Sequence, residues 1–292
     1  MIEALDHIVI AVEDLATAGR TAIGVLGRSP SWSGTHPSFG TANLIFKLEN
    51  TYVELLAPVG EGPLADGLRE RLRERGPGLH ALAFGTRDAV TEAARLRAAG
   101  LSPSEPIAGI AHDTASGAFR RFRNVMLPPG DTHGVGIFVI EHLSEPELLP
   151  PALPVSDEAG VASRLDHVVV MTGEPDRAKA LYGEQLGLRL ALDRTFEKRG
   201  VRLLFFRVGG ATIEIGSSLR AGSDLGDAAG RTDHLWGVAY QVPDIDKAHA
   251  RLVEAGIEVS GVRDGHKAGT RVCTVEGRPL GVPTLIIEPV HD

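Results

Sequence analysis

The chain has a single cysteine, Cys273. One thiol makes neither an internal disulfide nor a thiolate-rich zinc centre, so the fold stands without either staple; Cys273 is expected to pack as a small apolar residue. Long hydrophobic runs are missing too, and nothing approaches the ~20 apolar residues that a membrane helix needs. Positive charge is in deficit: 30 Lys and Arg against 38 Asp and Glu leave a formal net charge of -8. A surface of that sign repels phosphate backbones, and the basic cluster FRRFR at 119–123 is too short to reverse it. Neither nucleic acid nor membrane is therefore expected as a partner. No glycine-rich phosphate loop or dinucleotide fingerprint precedes a helix, so no organic cofactor is expected. The first residues, MIEALDHIVIAV, carry no basic n-region and no cleavage site, which gives a cytoplasmic location as the expectation.

What is present is repetition. An offset of 160 carries Leu5-Asp6-His7 onto Leu165-Asp166-His167, Leu26-Gly27 onto Leu186-Gly187, and TYVELL (51–56) onto ATIEIG (211–216), which superposes Glu54 on Glu214. A second pair of segments, HALAFGTRDAVTEAARLRAAGL (80–101) and WGVAYQVPDIDKAHARLVEAGI (236–257), matches at an offset of 156. Each of these runs on to an apolar strand with one glutamate, IFVIEHL with Glu141 and TLIIEPV with Glu288. All four units share one grammar. An apolar strand leads through Asp, Glu or Pro into a helical stretch that stops at Gly, and short alternating segments follow that read as antiparallel strands. Each unit is thus βαβββ. The stretch EHLSEPELLPPALPVSDEAGVASR is rich in Pro, Ser and Glu and cannot form a regular core element. It divides the chain into a first domain at 1–145, a linker at 146–162 and a second domain at 163–292, each domain holding two units.

A βαβββ unit duplicated in this way, with His on its first strand and Glu on its last, resembles the vicinal oxygen chelate (glyoxalase/bleomycin resistance/dioxygenase) superfamily. The first half, with GTHPSFGTANLIFKLENTYVELL, is similar to its glyoxalase-like domain subgroup. The resemblance implies an α+β fold in which four βαβββ modules pair into two cup-shaped half-barrel domains, as a monomer or homodimer. It also implies a divalent metal ion (Zn, Mn, Fe or Ni) inside a cup, held by the first and last strands of each unit. Carried over, the first cup offers His7, Glu54 and Glu141, and the second offers His167, Glu214 and Glu288. Ala81 and Gly237 occupy the fourth positions.

The implied activity is a metal-dependent lyase or isomerase acting on a small oxygenated molecule, with Glu141 or Glu288 as the catalytic proton shuttle. The alternative is a metal-free protein that binds a small molecule or drug, as bleomycin-resistance proteins do, since Ala81 and Gly237 would enlarge the cavity. An extradiol dioxygenase needs two His and one carboxylate; His167 and Glu288 fit that pattern, but Gly237 stands where the second His belongs. Candidate replacement ligands are His36 and His80 for the first cup, the latter only if a β-bulge turns it inward, and His234 and His266 for the second. Alternation places Arg121 and Arg123 on one strand face and Arg120 on the other, and the first pair could clamp a substrate carboxylate. On these grounds the first cup is favoured as the working site, provided that the Arg121 and Arg123 face is its inside.

Overall fold

The computed structural model describes residues 1–219 and 232–290. The first module is β1 (Ala4–Ala11), α1 (Leu15–Leu26), β2 (Trp32–His36), β3 (Thr41–Lys47) and β4 (Tyr52–Pro58). A connecting helix α2 (Pro63–Arg75) leads to β5 (Gly78–Gly85), α3 (Ala89–Ala98), β6 (Ile107–Asp113), β7 (Phe119–Met126), the single turn α4 (Pro129–Thr132) and β8 (Gly136–His142). The third module is β9 (Arg164–Met171), α5 (Pro175–Lys179), β10 (Arg189–Phe196), β11 (Val201–Val208) and β12 (Ala211–Ser218), and α5 runs on as a π-helix over Ala180–Gln185. The fourth is β13 (His234–Gln241), α6 (Ile245–Glu254), β14 (Arg263–Asp264), β15 (Arg271–Val275) and β16 (Thr284–Glu288). Local chemistry sets the helix ends. Asp14, Asp88 and Asp244 cap α1, α3 and α6 by accepting from backbone N–H groups of the first turn. Gly27 ends α1 at φ 70°, a conformation that costs glycine nothing.

Within each half the two modules meet along their first strands, β1 antiparallel to β5 and β9 antiparallel to β13. The sheets then differ. The first runs β1-β4-β3-β2-β6-β7-β8-β5 and closes into a barrel, whereas the second runs β10-β11-β12-β9-β13-β16-β15-β14 and stays open. The closing seam is Gly34 opposite Asp113 and Thr35 opposite His112. A Cβ on Gly34 would lie 2.8 Å from the His112 carbonyl oxygen, so the two strands approach this closely only at glycine. In the second half β14 is two residues long and pairs only with β15, too little to reach across to β10.

Two cores result. One lies on the outer faces, where β1, β5, β9 and β13 and the helices of both halves share a single cluster that includes Ile8, Phe84, Val168 and Tyr240. The other fills the first barrel with Val9, Trp32, Ile45, Leu56, Phe122, Phe138 and Ile140. Leu68 and Leu72 of α2 and Leu149 of the segment after β8 belong to this inner cluster, so chain from outside the sheet stops the barrel.

The halves are also tied by arginines in equivalent places. Arg251 of α6 donates to the carbonyls of Gly24 and Val25 at the end of α1, and Arg95 of α3 donates to those of Gln185 and Leu186 at the end of the π-helix. Each cation thereby satisfies the unpaired carbonyls, and the negative end, of a helix in the other half.

Candidate functional site

Cross-strand partners share a face of a sheet, so the register identifies which side chains point into each concave face. In the first barrel one inward row is Lys47, Tyr52, His7, Ala83 and Phe138, and the next is Trp32, Ile45, Glu54, Val9 and Ala81. His7 therefore lies beside Glu54. Its Nδ1 is 2.6 Å from Asp6 Oδ1 and its Nε2 is 3.3 Å from Glu54 Oε2, while its ring stacks on Tyr52 at 4.4 Å. Both nitrogens face carboxylates, which only accept, so the ring is the doubly protonated imidazolium. Burial alone would lower the pKa of His7, but the hydrogen bonds that its ring donates to Asp6 and Glu54 outweigh it and raise the group to about 9. Burial works the other way on Glu54, yet His7 and a 2.6 Å bond from the Asn43 amide hold its carboxyl down at about 2.

The chain of contacts continues on the far side of Asp6. His142 Nε2 donates to Asp6 Oδ2 at 3.0 Å, and Arg120 Nη2 donates to His142 Nδ1 at 3.4 Å. A polar relay thus crosses the barrel from Arg120 through His142, Asp6, His7 and Glu54 to Asn43.

The open second sheet has a shorter version. Its inward rows are Leu192, Phe205, Glu214, Val169 and Gly237, and Arg207, Thr212, His167, Ala239, Leu285 and Thr274. His167 Nδ1 is 2.7 Å from Asp166, whose other oxygen accepts from Gln241 at 2.6 Å. His167 Nε2 and Glu214 Oε2 are 3.7 Å apart, beyond a hydrogen bond. Burial, opposed by Asp166 and Glu214, still leaves the pKa of His167 raised; Glu214 is also raised, because burial outweighs the more distant His167. The apolar neighbours distinguish the two faces. Ile45, Phe138 and Ile140 of the barrel are buried, while the corresponding Phe205, Leu285 and Ile287 are half-buried and Leu192 is 43% exposed. The second face is a lined cup; the first is a filled barrel.

The sequence-derived ligand sets divide. His7 and Glu54 come together, as do His167 and Glu214, but Glu141 and Glu288 lie on the opposite strand faces. Glu141 Oε2 accepts from Ala89 N at 3.1 Å and Glu288 Oε2 from Ile245 N at 2.8 Å, at the N-termini of α3 and α6. There they complement the helix dipole, and in this position they neither ligate a metal in a cup nor shuttle a proton there. The inward residues that flank Ala83 and Ala239 from β8 and β16 are instead Phe138 and Leu285.

In neither concave face do three such groups converge on one point: Asp6, His7, Glu54 and His142 are strung along one hydrogen-bonded chain, and Asp166, His167 and Glu214 along another, whereas a catalytic zinc site or a two-His-one-carboxylate iron site needs three ligands aimed at the metal. Among the described residues no group of three or more His, Cys, Asp or Glu is arranged to hold a metal ion. A resident Zn, Mn, Fe or Ni does not fit the residues present.

The arginine face is corrected as well. Arg121 packs its guanidinium over Phe119, and Arg123 pairs with Glu141 on the outside of the sheet at 3.4 Å. Arg120 is the inward residue, so the condition that favoured the first cup is not met. His36 is buried inside the barrel, with Nδ1 3.1 Å from Thr41 Oγ1 and its ring against Phe122. His80 occupies a β-bulge of β5 opposite Val9 and Ile10, and burial, with Arg71 nearby, lowers it to about 4. On the second sheet His266 is exposed near Glu214, and His234 sits at the start of β13. Arg120, His142, Asp6 and Asn43 were missed as site residues, although the Asp-His pairs and the His after Glu141 stand in plain view in the sequence.

Residues 5–160 match a family described as glyoxalase-like domain, and residues 166–274 match the glyoxalase/bleomycin resistance protein/dioxygenase superfamily. An ethylmalonyl-CoA/methylmalonyl-CoA epimerase of Cereibacter sphaeroides is 33% identical over 112 residues, which is 37% of this chain and 82% of that protein. Among solved structures, a mutant of 4-hydroxymandelate synthase from Streptomyces coelicolor superposes with a TM-score of 0.69 at 15% identity, covering 100% of this chain and 94% of that one. A hypothetical protein from Staphylococcus aureus gives a TM-score of 0.64 at 11% identity, covering 98% and 99%.

Proposed function

Because the chain belongs to the glyoxalase/bleomycin resistance/dioxygenase superfamily, we propose that it is a small-molecule-binding member of it, working through the cup of the second sheet and without a resident metal. The observation that carries this reading is the half-exposed apolar wall of Leu203, Phe205, Leu285 and Ile287 around a pair of polar groups, His167 and Glu214. Concave, mostly apolar surfaces with a few convergent polar groups are the usual form of ligand sites. The wall takes the ligand's apolar body. His167, oriented by Asp166, donates from Nε2 to a ligand oxygen, and Glu214 accepts from a ligand hydroxyl or amide.

A catalytic reading of the same cup, as an epimerase or other isomerase, draws support from the epimerase relative and from Glu214, whose raised pKa suits a carboxylate that takes up and returns a proton. Two measurements separate the readings. Protein grown in metal-replete medium should carry less than ~0.1 divalent metal per chain, because fewer than three protein ligands converge; stoichiometric metal would overturn the metal-free proposal. A ligand found by thermal-shift screening should lose about ten-fold in affinity on Phe205→Ala, the amount that a few lost apolar contacts represent. It should stay within a few-fold on His167→Ala. Turnover of that ligand, abolished by Glu214→Gln, would establish the catalytic reading instead.

A further inference from the structure

The first barrel contains polar atoms that the reading above does not use. Trp32 is 4% exposed, and its indole Nε1 has no hydrogen-bond partner. Asn43 is 2% exposed; its amide nitrogen donates to Glu54, but its Oδ1 accepts from nothing. These two orphans lie together. Trp32 Nε1 lies over Gly34, where a Cβ would come within 2.1 Å of it, and Gly34 is the cross-strand partner of Asn43. An unsatisfied donor and an unsatisfied acceptor thus sit above one pair of residues. Buried groups of this kind cost free energy unless something meets them.

Beside them is Arg120, inward and 9% exposed, its guanidinium 5.6 Å from the centre of the Trp32 ring. Among the described residues its one hydrogen bond goes to Nδ1 of His142, and it makes no ion pair with a carboxylate. Buried guanidinium groups normally meet carboxylates or phosphates. Asp6 and Glu54, the barrel's inward carboxylates, are both engaged by His7.

We propose that the first barrel binds a small hydroxylated carboxylate of the 2-hydroxy-acid type, its carboxylate on Arg120 and its hydroxyl between the indole of Trp32 and the side-chain oxygen of Asn43. A hydroxyl suits the pair because it can accept from Trp32 and donate to Asn43 in one place; an oxo group accepts but cannot donate. The ligand is small because the inner cluster is densely filled and stoppered by Leu68 and Leu72 at α2 and by Leu149. Entry is past the segment that bears Leu149. That segment is fastened by Lys47 Nζ donating to the Leu149 carbonyl at 2.6 Å, by Ala152 N donating to the Lys47 carbonyl at 2.9 Å and by Arg28 Nη1 donating to the Ala152 carbonyl at 2.7 Å.

The probe is glycolate, with acetate and fluoroacetate as analogues that lack the hydroxyl donor. The chain has two tryptophans, so an ¹H–¹⁵N spectrum shows two indole N–H signals, and Trp32→Phe assigns the one that matters. Glycolate is expected to move the Trp32 signal downfield and to raise the melting temperature, with acetate and fluoroacetate binding at least about five-fold more weakly. Arg120→Gln should weaken glycolate by about ten-fold or more, the scale of a lost charge-assisted pair. Trp32→Phe, which removes the donor but keeps an aromatic ring, carries the test should Arg120→Gln fail to fold; it should weaken glycolate about five-fold. An unmoved Trp32 signal at saturating glycolate, or glycolate affinity unchanged in these variants, would overturn the proposal. So would equal binding of the three acids. None of these outcomes bears on ligand binding in the second cup, which contains neither Trp32 nor Arg120.

Discussion

Raising the pH past 9 should strip a measurable part of the stability from this protein, and the buried pair of His7 and Glu54 says how much. His7 is raised from the ordinary imidazole value of 6.5 to about 9. A group whose pKa is raised by folding contributes stability that is fully present below its unfolded value and is lost as pH climbs through the folded one. The contribution of His7 is therefore intact below pH 6.5 and gone once the pH has passed about 9. At about 1.4 kcal/mol for each pH interval of one, the loss is roughly 3 kcal/mol, a large share of the 5–15 kcal/mol typical of a folded domain. Glu54 has the opposite sense. Lowered from 4.5 to about 2, it contributes fully above pH 4.5 and loses that contribution as pH falls through about 2. The two describe one ion pair and are not summed.

Urea unfolding at a series of pH values, with the His7 ring followed by NMR in the folded protein, reads both quantities. The ring should titrate near pH 9, and Glu54→Gln should bring its midpoint down and shrink the alkaline loss. A His7 midpoint at or below 6.5, or unfolding free energies equal at pH 6 and pH 10, would refute the electrostatic account of the barrel interior.

Two further outcomes test the placement of residues. Gly34→Ala puts a methyl group 2.1 Å from Trp32 Nε1 and 2.8 Å from the His112 carbonyl at the barrel seam; it should destabilise by about 1–3 kcal/mol in a denaturant melt, as overpacking does, and a change under about 0.5 kcal/mol would mean that the seam is looser than described. Glu141→Gln and Glu288→Gln should each lower stability by about 0.5–1 kcal/mol through weakened helix N-termini and leave ligand affinity in either half unchanged; a ten-fold loss of affinity would return these carboxylates to a site.

Much of the architecture was legible because it is repeated. The Asp-His openings at Asp6 and Asp166, and the glutamates at 54 and 214, fall at one offset, and the parallel pairing of the first and last strands within each module places each His next to its Glu. The last strands were harder. β8 is covered on both faces, and β16 sets apolar Leu285 and Ile287 on its concave face as well as a buried outer face, so IFVIE and TLIIE show no polar alternation from which to read a face. Which side Glu141 takes is fixed by the register of Gly136 against Ala81, a long-range pairing that neither segment reveals alone. Arg120 and its neighbours posed the same problem. Alternation correctly separated Arg120 from Arg121 and Arg123, but only the pairing of β7 with β6 and β8 decides which set is inside. Closure of one sheet and not the other depends on Gly34 meeting Asp113, a contact between units whose sequences look alike.

The reciprocal arginines, Arg95 and Arg251, make each half of the chain a finishing element for the other. The carbonyls at the end of α1 are satisfied by α6, and those at the end of the π-helix by α3. An exchange of this kind has the symmetry of a two-fold dimer whose subunits have been joined end to end. It ties the halves together, since each supplies the hydrogen bonds that finish a helix of the other. The fused chain has also been released from identity. Once the partners are covalently joined, one copy can close its sheet and fill it while the other stays open, a division of labour unavailable to two identical subunits.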